Sequence, residues 1–267
     1  MEHIDTEDTS KPSSQNTKKE KKEYKIIKHE LTTKHLTQAG SKFSKYCELI
    51  IGKRGLAAFL KYELLTCFLT NWPGALGIYL RSIFYRFLFK KIGKGVSLGR
   101  NITVRHPHKI AIGNNVVIDD NCMLDAKGTE NKGIEIKDGV FIGRNTILSC
   151  KDGDITLNEN TNIGFNCELF SASYLNVGKN TLVAAYVYFV AGDHTFNIIN
   201  KPITEQEGKS QGINIGENCW FGTKATVFDG INIGDNVIIG ASAVVNDDIP
   251  SFSIAVGIPA KVIKNRS

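Results

Sequence analysis

Between Ile215 and Val245 a large apolar residue recurs every six positions: Ile215, Phe221, Val227, Ile233, Ile239 and Val245. Glycine follows four of them, at Gly216, Gly222, Gly234 and Gly240. A second ladder of small or medium apolar residues stands four positions further on, at Cys219, Ala225, Ile231, Val237, Ala243 and Ile249. A period of six fits neither a helix nor a plain strand alternation. It predicts a parallel β-helix, in which each hexapeptide is a short strand plus a turn and three hexapeptides close one triangular coil. The large residue then points into the prism. The glycine lets the backbone turn where a Cβ would be costly.

The same spacing reaches back to residue 92. The sets are Ile92, Leu98, Val104; Ile112, Ile118, Leu124; Ile136, Ile142, Leu148; Leu157, Ile163, Leu169; and Val177, Val183, Phe189. The extra residues between sets, at 105–111, 125–135, 149–156 and 170–176, are expected to be corner loops that leave the core register intact. The longest interruption spans 190–214. Two further coils follow and end near Ile249 and Pro250. The expected architecture is an all-β solenoid over 92–250 with an extruded loop at 190–214 and a basic tail at 251–267.

The first 91 residues differ in kind. Residues 1–41 are polar and charged, with the run Lys18-Lys19-Glu20-Lys21-Lys22, and are expected to be a disordered, solvated tail with at most a transient helix over 24–36. Residues 42–91 are expected to be an amphipathic helical segment. One helix carries Leu56, Phe59, Leu60, Leu64, Leu65, Phe68 and Leu69, and a second, over 76–89, carries Leu76, Tyr79, Leu80, Ile83, Phe84, Phe87 and Leu88. Asn71-Trp72-Pro73-Gly74 breaks between them. Lys61 and Glu63 interrupt the first run and Arg81 and Arg86 the second, so neither reads as a membrane span. Two readings stay open: a cap packed on the solenoid or a neighbouring subunit, and a peripheral membrane contact through 56–91.

The formal net charge of +6 suits an anionic partner without choosing one, and no aromatic-interleaved nucleic-acid motif is visible. Three of the six cysteines, Cys122, Cys167 and Cys219, fall on the small interior ladder and read as apolar fillers. Reduced cysteines and a polar N-terminus point to the cytoplasm.

Chemistry is sought where the rhythm breaks without structural gain. His194, beside Asp193, stands at the start of the long loop. An imidazole is suited to take a proton from a hydroxyl, and an acidic neighbour could orient it. His106 and His108, in an early corner loop, are the competing histidines, but no pattern supports a metal shared with His194.

The motifs GINIGENCWFG at 212–222, DGINIG at 229–234, IGASAVV at 239–245, DIP at 248–250 and VGIPAKVI at 256–263 resemble those of the hexapeptide-repeat acyltransferases. The nearest branch is that of the galactoside and maltose O-acetyltransferases, and the apolar helical start is similar to acetyltransferases of surface-polysaccharide assembly. The resemblance covers 92–264. It implies a left-handed parallel β-helix, a homotrimer, and acetyl-CoA lying between neighbouring prisms; the histidine distribution gives no reason to expect a metal. It also implies an acetyl-CoA-dependent O-acetyltransferase acting on a sugar hydroxyl of a surface glycan or glycolipid acceptor; with the cysteines and the helical segment, the expected place is the cytoplasm, in peripheral contact with the inner face of the membrane if 56–91 docks there. By motif position it makes His194, with Asp193, catalytic and Asn166 and Trp220 substrate-side residues. Thr223, Gly222, Ala241, Lys261 and Lys264 would contact the cofactor. Two departures stand out: the loop reads Gly-Asp-His without neighbouring histidines, and the acceptor-binding N-terminus of the galactoside enzymes is missing. N-acetylation of an amino-sugar nucleotide and a non-catalytic scaffold are the alternatives.

Overall fold

The computed structural model describes residues 23–27 and 40–266. Most of the expected charged tail lies outside the described residues. From Lys91 the chain winds as a left-handed parallel β-helix of about eight turns. Its three walls are parallel sheets. The first runs from Lys91–Ile92 to Asn232–Ile233, the second from Ser97–Leu98 to Ser253–Val256, and the third from Thr103–Arg105 to Val244–Val245. Most strands are only two to four residues long, so each depends on its neighbours in the stack.

The six-residue ladder is the core. On the second wall Leu98, Ile118, Ile142, Ile163, Val183, Phe221, Ile239 and Ala255 stand in one register column, all buried. The small ladder fills the corners. Cys122, Cys167 and Cys219 are buried there, and each thiol points at a carbonyl of the next rung: Gly143, Ala184 and Gly234, at 3.2, 3.1 and 3.2 Å. Thr146, in the same kind of position, donates to the Gly164 carbonyl at 2.9 Å.

The structure changes the reason for the glycines. Gly222 has no left-handed φ; a Cβ on it would stand 2.5 Å from the Ala241 nitrogen of the next rung. What it permits is close approach between rungs. The left-handed corner positions are instead held largely by asparagine, including Asn101, Asn121, Asn145 and Asn166 between the second and third walls. Asparagine tolerates that conformation and its amide can bond along the stack. Asn101 donates to Asn121 at 2.9 Å and Asn145 to Asn166 at 3.0 Å.

The inserted stretches all fall at one edge, between the third and first walls. The coil also runs further than the sequence suggested. Ser253–Val256 adds a parallel strand to Ile238–Ile239, and Lys261–Asn265 then folds back on it antiparallel, so the basic tail is part of the second wall.

The helical segment caps the first rung. It comprises α1 (Lys42–Tyr46), a π-helical turn Cys47–Ile51, α2 (Leu56–Leu69) and α3 (Gly74–Phe84), with a short 3-10 turn Tyr85–Phe87 ending the second expected helix early. Tyr62 donates to the Val104 carbonyl at 2.7 Å, and the Asn101 N–H donates to the Thr70 carbonyl at 2.7 Å. Arg81, expected as an edge charge, is buried. Its Nε donates to the Leu98 carbonyl at 2.9 Å, and its Nη1 donates to the Leu69 and Trp72 carbonyls at 2.9 and 2.8 Å. It satisfies the last turn of α2 and ties both helices to the second wall. The opposite side of α2 leaves Leu56, Leu60, Leu64 and Phe68 exposed in one i, i+4 row.

Phe221 is wholly buried with its ring edge-on to Phe189 at 5.0 Å between centroids. Phe221→Ala is expected to cost about 3–5 kcal/mol, read as a lowered urea midpoint with an unchanged slope.

Candidate functional site

The long loop leaves the third wall after Tyr188–Ala191. Asp193–His194 pairs antiparallel with the returning Gly208–Ser210, which in turn pairs with Lys25–Ile27. That third strand corrects the expectation of a helix at residues 25–27. The ribbon is braced internally: Gln206, buried, donates to the carbonyls of Ile198 and Lys201 at 3.0 and 2.9 Å.

Asp229 holds the loop's feet. Its carboxylate accepts the N–H groups of Gln211 and Gly212 at 2.7 and 2.9 Å and the Ser210 hydroxyl at 2.9 Å. Ser210 Oγ is also 3.1 Å from the Ala191 carbonyl on the outgoing strand. Burial pushes the Asp229 carboxyl up, against these hydrogen bonds, which pull it down. The sequence marks Asp229 only as the first residue of the DGINIG motif; the fold shows that it faces the return of the loop.

His194 is exposed at the rim of a cleft of about 260 Å³, with Ile27, Lys151, Phe170, Tyr188, Gly192 and Asp193 around it. The Asp193 carboxylate accepts the His194 backbone N–H at 2.7 Å and stands 3.6 Å from Lys209 Nζ. It fixes the backbone that carries the imidazole. Ile27 and Lys151 come from far along the chain, and no spacing pattern announced them.

Four of the other candidate residues, Asn166, Gly222, Thr223 and Ala241, gather on a different edge, between the second and third walls. Asn166 is a left-handed corner residue there, bonded to Asn145. Gly222 and Thr223 follow on a later rung, with the Thr223 hydroxyl donating to the Ala185 carbonyl at 2.7 Å. Ala241, exposed, lies on the rung after. Trp220, 49% exposed, is on the outer face of the second wall in register with Leu182 and Ile238. Lys261 and Lys264 are exposed on the antiparallel end strand, Lys261 3.6 Å from Asp247 Oδ2. Within one chain the third wall therefore separates His194 from Asn166, Gly222, Thr223 and Ala241.

His106 and His108 do not join His194. They line a separate cavity of about 510 Å³ at the base of the inserted edge, with Glu48, Gly52, Lys53, Lys109 and Lys127. The His106 ring donates through Nε2 to the Glu48 carbonyl at 2.9 Å, and the two imidazoles stack 6.0 Å apart. Burial, then Lys53, pushes His108 down to about 4. A buried imidazole kept neutral opposes protonation, so the unfolded chain takes up the proton first as pH falls from about 6.5 to about 4. Stability is expected to drop across that window, and the drop in urea midpoint should be shallower in His108→Gln.

Residues 212–247 match the family model described as the hexapeptide repeat of succinyl-transferase. The chain is 33% identical over 133 residues to a probable acetyltransferase of Mycobacterium tuberculosis, covering 50% of this chain and 44% of that one. It is 28% identical over 182 residues to a dTDP-4-amino-4,6-dideoxy-D-glucose acyltransferase of Escherichia coli, covering 67% and 83%. It is 27% identical over 150 residues, covering 54% and 75%, to a protein of Escherichia coli K12 provisionally named a lipopolysaccharide biosynthesis O-acetyl transferase. The match spans less than half the length of the mycobacterial relative.

Proposed function

We propose that this chain, a member of the hexapeptide-repeat acyltransferase family, transfers an acetyl group from acetyl-CoA to a sugar hydroxyl of a surface glycan or glycolipid intermediate. The observation that carries this reading is His194 on a braced ribbon at the rim of a cleft, at the one long break in the repeat. Relatives named for sugar acylation and lipopolysaccharide O-acetylation support the substrate class.

In the proposed reaction the acceptor hydroxyl gives its proton to the His194 imidazole as its oxygen attacks the thioester carbonyl carbon. The C–O bond forms, the C–S bond breaks, and the CoA thiolate takes the proton back from the imidazolium. Donors near Thr223 and Trp220 stabilise the developing oxyanion. Because His194 and the Thr223–Ala241 edge are separated in one chain, the complete site needs two copies. A trimer meets that need. The outward column Val117, Phe141, Asn162, Leu182 and Trp220, apolar except at Asn162, and the exposed loop residues Phe196, Ile198 and Ile199, supply apolar surface for it. Acetyl-CoA then lies between neighbours, with Lys261 and Lys264 toward its phosphates.

The amino-sugar relative favours a second reading, N-acetylation of an amino-sugar nucleotide. Free-thiol release with paired hydroxyl and amine acceptors separates the two. In either case His194→Ala is expected to lose about 10²- to 10⁴-fold in kcat while keeping CoA affinity and assembly. Near wild-type turnover would remove His194 from the chemistry.

The exposed Leu56, Leu60, Leu64 and Phe68 row, with Leu76 and Tyr79 on α3, supports a peripheral contact with the inner face of the membrane. Among the described residues no helix is long and apolar enough to cross one. Leu60→Glu/Leu64→Glu should abolish co-sedimentation with anionic liposomes without lowering the melting temperature. Unchanged sedimentation would restrict this face to protein contacts.

A further inference from the structure

The cavity beside His106 and His108 plays no part in the reaction above. His106 is only 6% exposed. The Glu48 carbonyl can only accept, so the ring nitrogen 2.9 Å from it, Nε2, carries the proton. In the neutral ring Nδ1 is then a bare lone pair. It is buried without a hydrogen-bond partner, and so is Nδ1 of His108, whose other ring nitrogen is bonded to the Ile51 backbone and so holds the proton. Buried polar atoms are seldom left unpaired, and two such acceptors on one cavity call for donors.

Gly52 keeps the space in front of both rings open. A Cβ there would stand 2.6 Å from His106 Nδ1 and 2.7 Å from His108 Cε1. Its φ of +71° also disfavours any side chain. Cations surround the same space. Lys109 Nζ is anchored on the Gly128 carbonyl and Asn131 Oδ1, at 2.7 and 2.8 Å. Lys127 stands 3.7 Å from Asp125, which Arg105 also reaches at 3.3 Å. Lys53 is exposed at the mouth. The lining carboxylate, Glu48, is taken up by Arg54.

We propose that this cavity binds a phosphorylated polyol, its hydroxyls donating to Nδ1 of His106 and His108 and its phosphate set against Lys53 and Lys127. Two demands select that class. Paired acceptors require donors, which a fully ionised phosphate lacks. Lys109 is offset by Asp152, Asp154 and Glu130, but Lys53 and Lys127 at the lining favour an anion, which a neutral sugar lacks. A sugar phosphate and the glycerol-phosphate headgroup of a lipid both meet the two demands. Four rungs separate His106 from the level of His194, roughly 19 Å at the usual strand spacing, so the bound group is not the hydroxyl acylated there. The site does not rest on the acyl-transfer reading.

The full chain is titrated by calorimetry with glucose 1-phosphate, inorganic phosphate and glucose. Glucose 1-phosphate is expected to bind at least about tenfold tighter than phosphate, as two added hydrogen bonds to buried acceptors would give, and glucose to give no heat at the same concentration. Lys53→Met/Lys127→Met should weaken it by about tenfold or more. His108→Phe should erase the preference over phosphate, with a thermal melt to check folding; the lysine variant, altered near the cavity mouth, decides the matter if the phenylalanine variant unfolds. His194→Ala should bind as wild type, which separates this site from the transfer site. Vesicles containing phosphatidylglycerol either displace glucose 1-phosphate, making a lipid headgroup the natural source, or leave it bound, making the source soluble. The proposal is overturned if glucose 1-phosphate does not bind, if phosphate binds equally well, or if the lysine variant binds as wild type.

Discussion

Everything in this molecule depends on one rung lying directly on the next. The strands are too short to pair stably alone, and each wall exists because its backbone N–H and C=O groups bond the rungs on either side, in register. On the second wall the Trp220 N–H donates to the Val237 carbonyl and the Gly222 N–H to the Ile239 carbonyl, at 2.9 and 2.8 Å. That spacing leaves no room for a Cβ at Gly222, which is why the glycines recur with the ladder rather than with the left-handed corners. It also makes interior side chains stack in columns, so one large residue every six positions suffices for a continuous core.

Stacking also decides where variation is tolerated. The corners between the first and second walls, and between the second and third, are short and held largely by left-handed asparagines bonded to one another, such as Asn160 to Asn180 and Asn218 to Asn236, with Tyr186, Lys224 and Ser242 taking that place in the later second–third corners. An insertion there would break a ladder. The third corner carries no such uniform ladder, and every inserted stretch sits on it. Both cavities discussed above open on that edge. The rest of the prism is constrained by its own repetition, and this edge is where chain length varies.

The repeat was legible because it is written in period and residue size: the buried columns, the position of the long loop and the two helices with their break all follow from spacing. What spacing could not show is contact between distant segments. Arg81 looks like a surface charge on a helix until the Leu98, Leu69 and Trp72 carbonyls are seen around its guanidinium. Lys25–Ile27 is too short and too polar in its surroundings to read as a strand; Gly208–Ser210 makes it one. Asn166 was expected on the substrate side from motif position, whereas its local role is that of a corner residue in a stack of corner residues.

The long loop shows how an irregular segment is held in place on a repetitive scaffold. A loop of this length would ordinarily be costly to order. Here Asp229, in a later coil, fixes Ser210, Gln211 and Gly212, while Ser210 reaches the Ala191 carbonyl on the outgoing strand. Both feet are thereby tied to rungs whose positions are set by the stack. The ribbon between them carries His194 two residues beyond the last of the Tyr188–Ala191 strand's immediate neighbours, so little freedom accumulates between the rigid wall and the imidazole. The same carboxylate is buried at a cost, since desolvation opposes its charge. The free energy spent holding Asp229 in the wall is what converts a break in the rhythm into a fixed position for the proposed base.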